Sequence, residues 1–167
     1  MWYLKRGVIL TKDNLARRNW RGSQNCSFCS LHETIHHLFF RCAYARFLWT
    51  AVHLLFEIPR PTDIKDLFDR WSKRGSTEYN SSLLIAASAL CCSLWIIRNE
   101  IVFDKCQPKY FLQVLFRGTY GLCQWAQLQR LEERRQELEN ACRLLEISSL
   151  QLFSSSGWSS SLRILSV

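Results

Sequence analysis

Cys26 and Cys29 stand two residues apart, His37 follows after seven more and Cys42 after another four, a C-x2-C-x7-H-x4-C series. No other feature constrains the fold of this chain so tightly. A C-x2-C turn aims two thiolates at one cation, and a further imidazole and thiolate complete the tetrahedral set of structural zinc. The whole series spans 17 residues, so a metal ion orders the segment locally. His32, His36 and His37, three of the four histidines, fall inside it, and spacing alone leaves His36 or His32 open as replacements for His37. A closed Cys3His site keeps no coordination position for a substrate or an activated water, so its expected role is structural.

The chain holds eight cysteines, which raises the question of compartment. Val8-Ile9-Leu10 is too short an apolar run for a secretory signal, and the vicinal pair Cys91-Cys92 sits in an apolar stretch that suits no structural bridge. We therefore expect an intracellular protein, nuclear or cytoplasmic and not secreted, with the cysteines outside the metal set buried as small hydrophobes.

Three prolines and six glycines in 167 residues are few, and 48% of residues are hydrophobic. That balance predicts a folded, mainly α protein: a small Cys3His zinc knuckle, then a bundle of helices with a long C-terminal helix. Thr11 is a plausible N-cap for a short first helix with Leu15 inward and Gly22 beyond its end. Phe47, Leu48, Val52, Leu55 and Phe56 recur at helical spacing, and Pro59 and Pro61 mark the clearest boundary. Thr62 reads as the N-cap of the next helix, whose apolar face is Ile64, Leu67, Phe68 and Trp71.

Leu83–Ile97 is an apolar run relieved only by Ser88 and Ser93. It is shorter than the roughly 20 residues of a membrane span, so a buried central helix with no membrane contact is expected. Arg98, Asn99 and Glu100 are expected to return it to water, with Pro108 starting the next helix. Leu128, Leu131, Leu138, Cys142 and Leu145 form a stripe with Arg135 in one of its slots, and Glu139–Arg143 is a favourable i,i+4 pair. The stripe is a possible partner helix over residues 125–147. The expected organisation is a knuckle unit over 1–59, a helical unit over 62–147 packed on it or continuous with it, and a serine-rich tail over 148–167.

The formal charge is +8, and residues 1–50 hold most of it: eight basic side chains against Asp13 and Glu33. A polyanion would feel this third of the chain. Lys12, Arg17, Arg18, Arg21, Arg41 and Arg46 are the candidate phosphate contacts, and Trp20 and Phe28 are the candidates for stacking on unpaired bases of RNA or single-stranded DNA. No catalytic set is legible and no small-molecule substrate is implied. Asp63, Asp66 and Asp69 lie among Lys65 and Arg70 and read as a solvated face.

The strings ILTKDNLARRNW, C-x2-C…ETIHHLFFRCAYARFLW and LWIIRNEIVF resemble the reverse-transcriptase zinc-binding domain of plant non-LTR (LINE-type) retrotransposon polyproteins. The resemblance covers about residues 2–105, and RLEERRQELENACRLLE is similar to the usual downstream extension. It implies Cys26, Cys29, His37 and Cys42 as ligands, since the HLFF that follows the ligand slot begins at His37 here. It also implies structural roles for Trp49 and for Arg98-Asn99, which would end or tether the central helix. Polymerase and endonuclease parts are missing and no Asp-Asp pair occurs, so the chain reads as a fragment without enzymatic activity. The function implied is nucleic-acid binding. The alternative is a structural or protein-interaction module, or a non-functional remnant, in which zinc only staples the fold.

Overall fold

The computed structural model describes residues 1–73, 75–103 and 111–155. Its helices are α1 (Trp2–Lys5), α2 (Lys12–Ala16), α3 (Ala43–Phe56), α4 (Ile64–Asp69), α5 (Thr77–Phe103), α6 (Phe111–Ala126) and α7 (Glu132–Ser155), with a π turn over His37–Arg41 and a 3-10 turn over Trp71–Lys73. Among the described residues there is no strand, only one antiparallel bridge between Asn25 and His32. The mainly α expectation holds.

One apolar core gathers Leu4 of α1, Leu38 to Phe40 of the π turn, the inward face of α3, and Leu90, Leu94 and Ile97 of α5. It continues into Val114 and Leu115 of α6 and Leu145 of α7. Trp49 is its anchor. The indole is buried, donates from Nε1 to the Phe39 carbonyl at 2.7 Å, and meets Trp71 edge-on at 5.4 Å between centroids. Trp71 in turn donates to the Pro59 carbonyl at 3.1 Å, fastening the proline boundary to the same cluster.

Helix α5 runs for 27 residues, well past both ends of the apolar run that announced it. By length and composition it could cross a membrane, yet here it packs against α3 and α6. Ser88 and Ser93 donate to the carbonyls of Leu84 and Leu90, at 2.6 and 2.8 Å, so their hydroxyls are satisfied inside an apolar helix. Gly118 is where α6 crosses α5. A Cβ there would stand 2.7 Å from Leu90 Cδ2.

Four expectations change. The cap of α4 is Asp63 rather than Thr62: Asp63 Oδ1 accepts the Asp66 N–H at 2.7 Å, while the Thr62 N–H donates back to Asp66 Oδ2 at 2.9 Å. Arg98 does not return α5 to water. It is 2% exposed and the helix continues to Phe103, because the guanidinium has a buried partner far away in the chain. The stripe over 125–147 is not one helix. Leu128 and Leu131, 77% and 59% exposed, lie in the turn between α6 and α7. There the chain doubles back so that Leu138 and Cys142 bury against Leu122 and Ala126. Last, α7 carries on through Ser148 and a buried Ser149 to Ser155, so residues 148–155 are helix rather than loose tail. The expected start at Pro108 and the rest of the tail lie outside the described residues.

Candidate metal centre

The knuckle is built by short-range hydrogen bonds. The Cys26 N–H donates to the Leu31 carbonyl at 2.5 Å, the Ser30 N–H to the Cys26 carbonyl at 3.0 Å, and the Glu33 N–H to the Gln24 carbonyl at 2.9 Å. Ser30 takes the left-handed region (φ 61°) to close the turn. The Phe28 N–H points at Cys26 Sγ, 3.4 Å away, so backbone as well as metal can stabilise that thiolate.

The other two ligands depend on the π turn. The Thr34 hydroxyl accepts the His37 N–H at 3.0 Å, and the Cys42 N–H donates to the His37 carbonyl at 2.7 Å. This i→i+5 bond brings together two ligands five positions apart. Cys42 then serves as N-cap of α3, accepting the Arg46 N–H at 2.8 Å.

The ligand atoms of Cys26, Cys29, His37 and Cys42 lie within 4.8 Å of one another. Cys26 and Cys42 sulfurs are 4.0 Å apart, Cys29 and Cys42 sulfurs 3.8 Å, and Cys29 Sγ is 3.1 Å from His37 Nε2. Zinc–sulfur bonds of about 2.3 Å require a tetrahedral edge of about 3.8 Å, so the sulfur separations suit zinc. His36 lies outside the ligand group, its Nε2 donating to the Thr62 carbonyl at 2.9 Å. His32 is exposed on the knuckle bridge and outside the ligand group. His37 is the imidazole.

The hydrogen bond from the Cys42 thiol, aided by His37 and the Phe28 N–H, outweighs burial and holds Cys26 at about 4. That same contact, followed by burial, pushes Cys42 far up, and burial raises Cys29. Protein groups alone therefore favour one thiolate among three. A bound dication would supply the charge that deprotonates the other two.

Glu33 and Arg98, the pair that joins the knuckle to α5, went unread in the sequence. Both side chains are almost wholly enclosed, and Arg98 reaches Glu33 through Nη2 at 2.6 Å and through Nε at 3.1 and 3.3 Å. Glu33 Oε1 also accepts the Lys12 N–H at 2.9 Å, so one carboxylate caps α2 as well. Arg98 lies over the Trp95 ring at 5.1 Å and donates to Asn99 Oδ1 at 2.9 Å. The tether implied for Arg98-Asn99 is thus made by Arg98. The only local signal was an acid set among Cys, His and apolar residues.

Of the nucleic-acid candidates, Arg17, Arg18, Trp20, Arg21, Arg41 and Arg46 are exposed. Lys12 is engaged within the fold. Its Nζ donates to the Asn25 carbonyl at 2.5 Å and to Ser27 Oγ at 3.0 Å, tying α2 to the knuckle. Phe28 is a correction. It is 8% exposed and stacked on Tyr44 at 4.4 Å, because the knuckle turn folds it onto α3, so it offers no face to a base.

A closed Cys3His set tied into a helical core defines the class: a structural zinc module. Residues 1–49 match the family model described as zinc-binding in reverse transcriptase, a span that ends on Trp49. The N-terminal part of the chain is thus similar to a reverse-transcriptase zinc-binding domain, and the metal that its Cys3His group suits is Zn2+. The segment LWIIRNEIVF lies beyond that match. No curated protein and no solved structure matches the chain.

Proposed function

We propose that this protein is a zinc-stapled nucleic-acid-binding module of retrotransposon origin, LINE-type and plant-derived as the sequence resemblance suggests. It would bind RNA or single-stranded DNA without catalysing a reaction. The observation that carries this reading is the placement of five arginines on parts of the chain that the metal holds. Arg41 lies in the π turn between two ligands, and Arg46 donates its N–H to the ligand Cys42. Arg17, Arg18 and Arg21 leave α2, which Lys12 ties to Asn25 and Ser27 beside Cys26. All five are exposed. Arginines held on a rigid frame neutralise phosphates with little ordering cost on binding.

A titration against oligonucleotides at several salt concentrations, with and without a zinc chelator, tests this. Affinity should fall steeply with salt, with a logarithmic slope of up to about −3.5 if all five arginines meet phosphates of a single strand. Chelation should abolish binding. Charge reversal by Arg17→Glu with Arg18→Glu should weaken binding about uniformly across sequences, since phosphate contacts carry no base information. Undiminished binding after that reversal would discard the reading in favour of a protein-interaction module.

A further inference from the structure

The turn that leaves α2 is more organised than an exposed loop requires. Asn19 takes the left-handed region (φ 64°), the Asn19 N–H donates to the Ala16 carbonyl at 3.0 Å, and the Trp20 N–H donates to the Leu15 carbonyl at 3.1 Å. Those two bonds form a Schellman motif with Asn19 at C′ and Trp20 next to it. The backbone of Trp20 is therefore fixed by the helix end, although the residue is 40% exposed.

The side chain packs on the same turn. A Cβ on Gly22 would stand 1.9 Å from Trp20 Cζ2 and 2.1 Å from Cη2, so the six-membered ring of the indole rests against the Gly22 backbone. Only glycine permits that approach. An apolar ring of this size would be better covered than exposed by the hydrophobic effect alone. Here a partly exposed tryptophan packs against the chain and is flanked in sequence by Arg17, Arg18 and Arg21, all exposed.

We propose that residues 17–22 form a one-base subsite. Trp20 presents a preset stacking face to an unpaired nucleobase, Gly22 and Asn19 position it, and the flanking arginines take the adjoining phosphates. This rests on the nucleic-acid reading above and sharpens it: the substrate class is single-stranded, because a base paired and stacked within a duplex has no free face. Base–aromatic stacking tolerates any base, so the subsite selects strandedness rather than sequence.

The experiment compares zinc-loaded wild type, Trp20→Ala, Trp20→Phe and Gly22→Ala for binding to a ten-nucleotide single strand, a duplex of the same length and an abasic single strand. Trp20→Ala should lose about tenfold on the single strand and nothing on the duplex. Trp20→Phe should retain most of the affinity. Gly22→Ala, which keeps ring and charges but drives the ring off its seat, should approach the Trp20→Ala loss. On the abasic strand wild type and Trp20→Ala should bind alike. Zinc content and thermal melting should stay at wild-type values in every variant, since the turn is exposed. Equal loss on single strand and duplex, or no loss on either, overturns the subsite while salt-dependent binding keeps the broader reading. Absence of binding by wild type to any of the three ligands overturns the broader reading itself.

Discussion

Residues 24–42 and the α6–α7 hairpin are held together by different physics. The knuckle buries Cys26, Phe28, Ile35 and Cys42 around a metal-ligand set, using one isolated bridge and a π turn in place of regular structure. Among its described residues the hairpin has no such set. Leu122, Ala126, Leu138 and Cys142 pack face to face, and the Thr119 hydroxyl donates to Glu146 across the two helices. A small irregular loop cannot bury enough apolar area to offset its lost chain entropy, so it needs coordination bonds. Two helices of 16 and 24 residues can. Burial in the hairpin pushes the Cys142 thiol up, the mark of a cysteine used as a hydrophobe.

Removing the metal should separate the two regions most sharply. Structural zinc contributes about 10–16 kcal/mol in small zinc modules, so chelation or Cys26→Ser should melt the knuckle and release α5 from Glu33, while α6 and α7 keep their helicity. Metal analysis should give one equivalent in wild type; less than about half an equivalent contradicts the site. Because Cys29 and Cys42 hold their protons above the ordinary thiol range, zinc binding must expel them. Affinity should therefore rise with pH and zinc should be lost on acidification, which a competitive chelator titration across pH would read.

Next in size is the joint between the regions. Glu33→Gln should leave Arg98 as a buried uncompensated charge and cost about 3–5 kcal/mol in urea denaturation. The double change Glu33→Met with Arg98→Met should cost less than that single one. It should still lose about 1 kcal/mol, because the Lys12 N–H forfeits its acceptor. A double variant as unstable as Glu33→Gln would show that the pair is not what joins knuckle and helix.

Leu138→Ala should cost about 2–5 kcal/mol by leaving a cavity between α6 and α7, with zinc content unchanged. A drop in zinc would mean that the hairpin supports the knuckle directly. The smallest effect belongs to Leu128→Ala, within about 0.5 kcal/mol, since that side chain lies in the exposed turn. A larger loss in melting experiments would revive the continuous stripe.

Metal chemistry was legible in the chain because it is local. Four ligands in 17 residues leave few geometries, and sequence order already carried the donor set, the zinc and the closed coordination. A structural role for Trp49 came from the family resemblance, and the fold bears it out by burying the indole on the inward face of α3. Helical class followed from scarce glycine and proline and from regular spacing.

Other features waited for tertiary structure, because each is decided by a partner distant in sequence or by two surfaces meeting. Arg98 looks like a helix exit until Glu33, 65 residues away, comes beside it and makes burial of the charge tolerable. Choosing His37 over His36 turned on which imidazole the π turn carries to the three sulfurs. Phe28 became core because Tyr44 lies above the knuckle turn. The stripe of leucines broke at 127–131 because two apolar faces bury more by folding back on each other than by extending into water. Ligand chemistry and helical period are properties of short segments, while burial belongs to whatever the folded chain brings alongside.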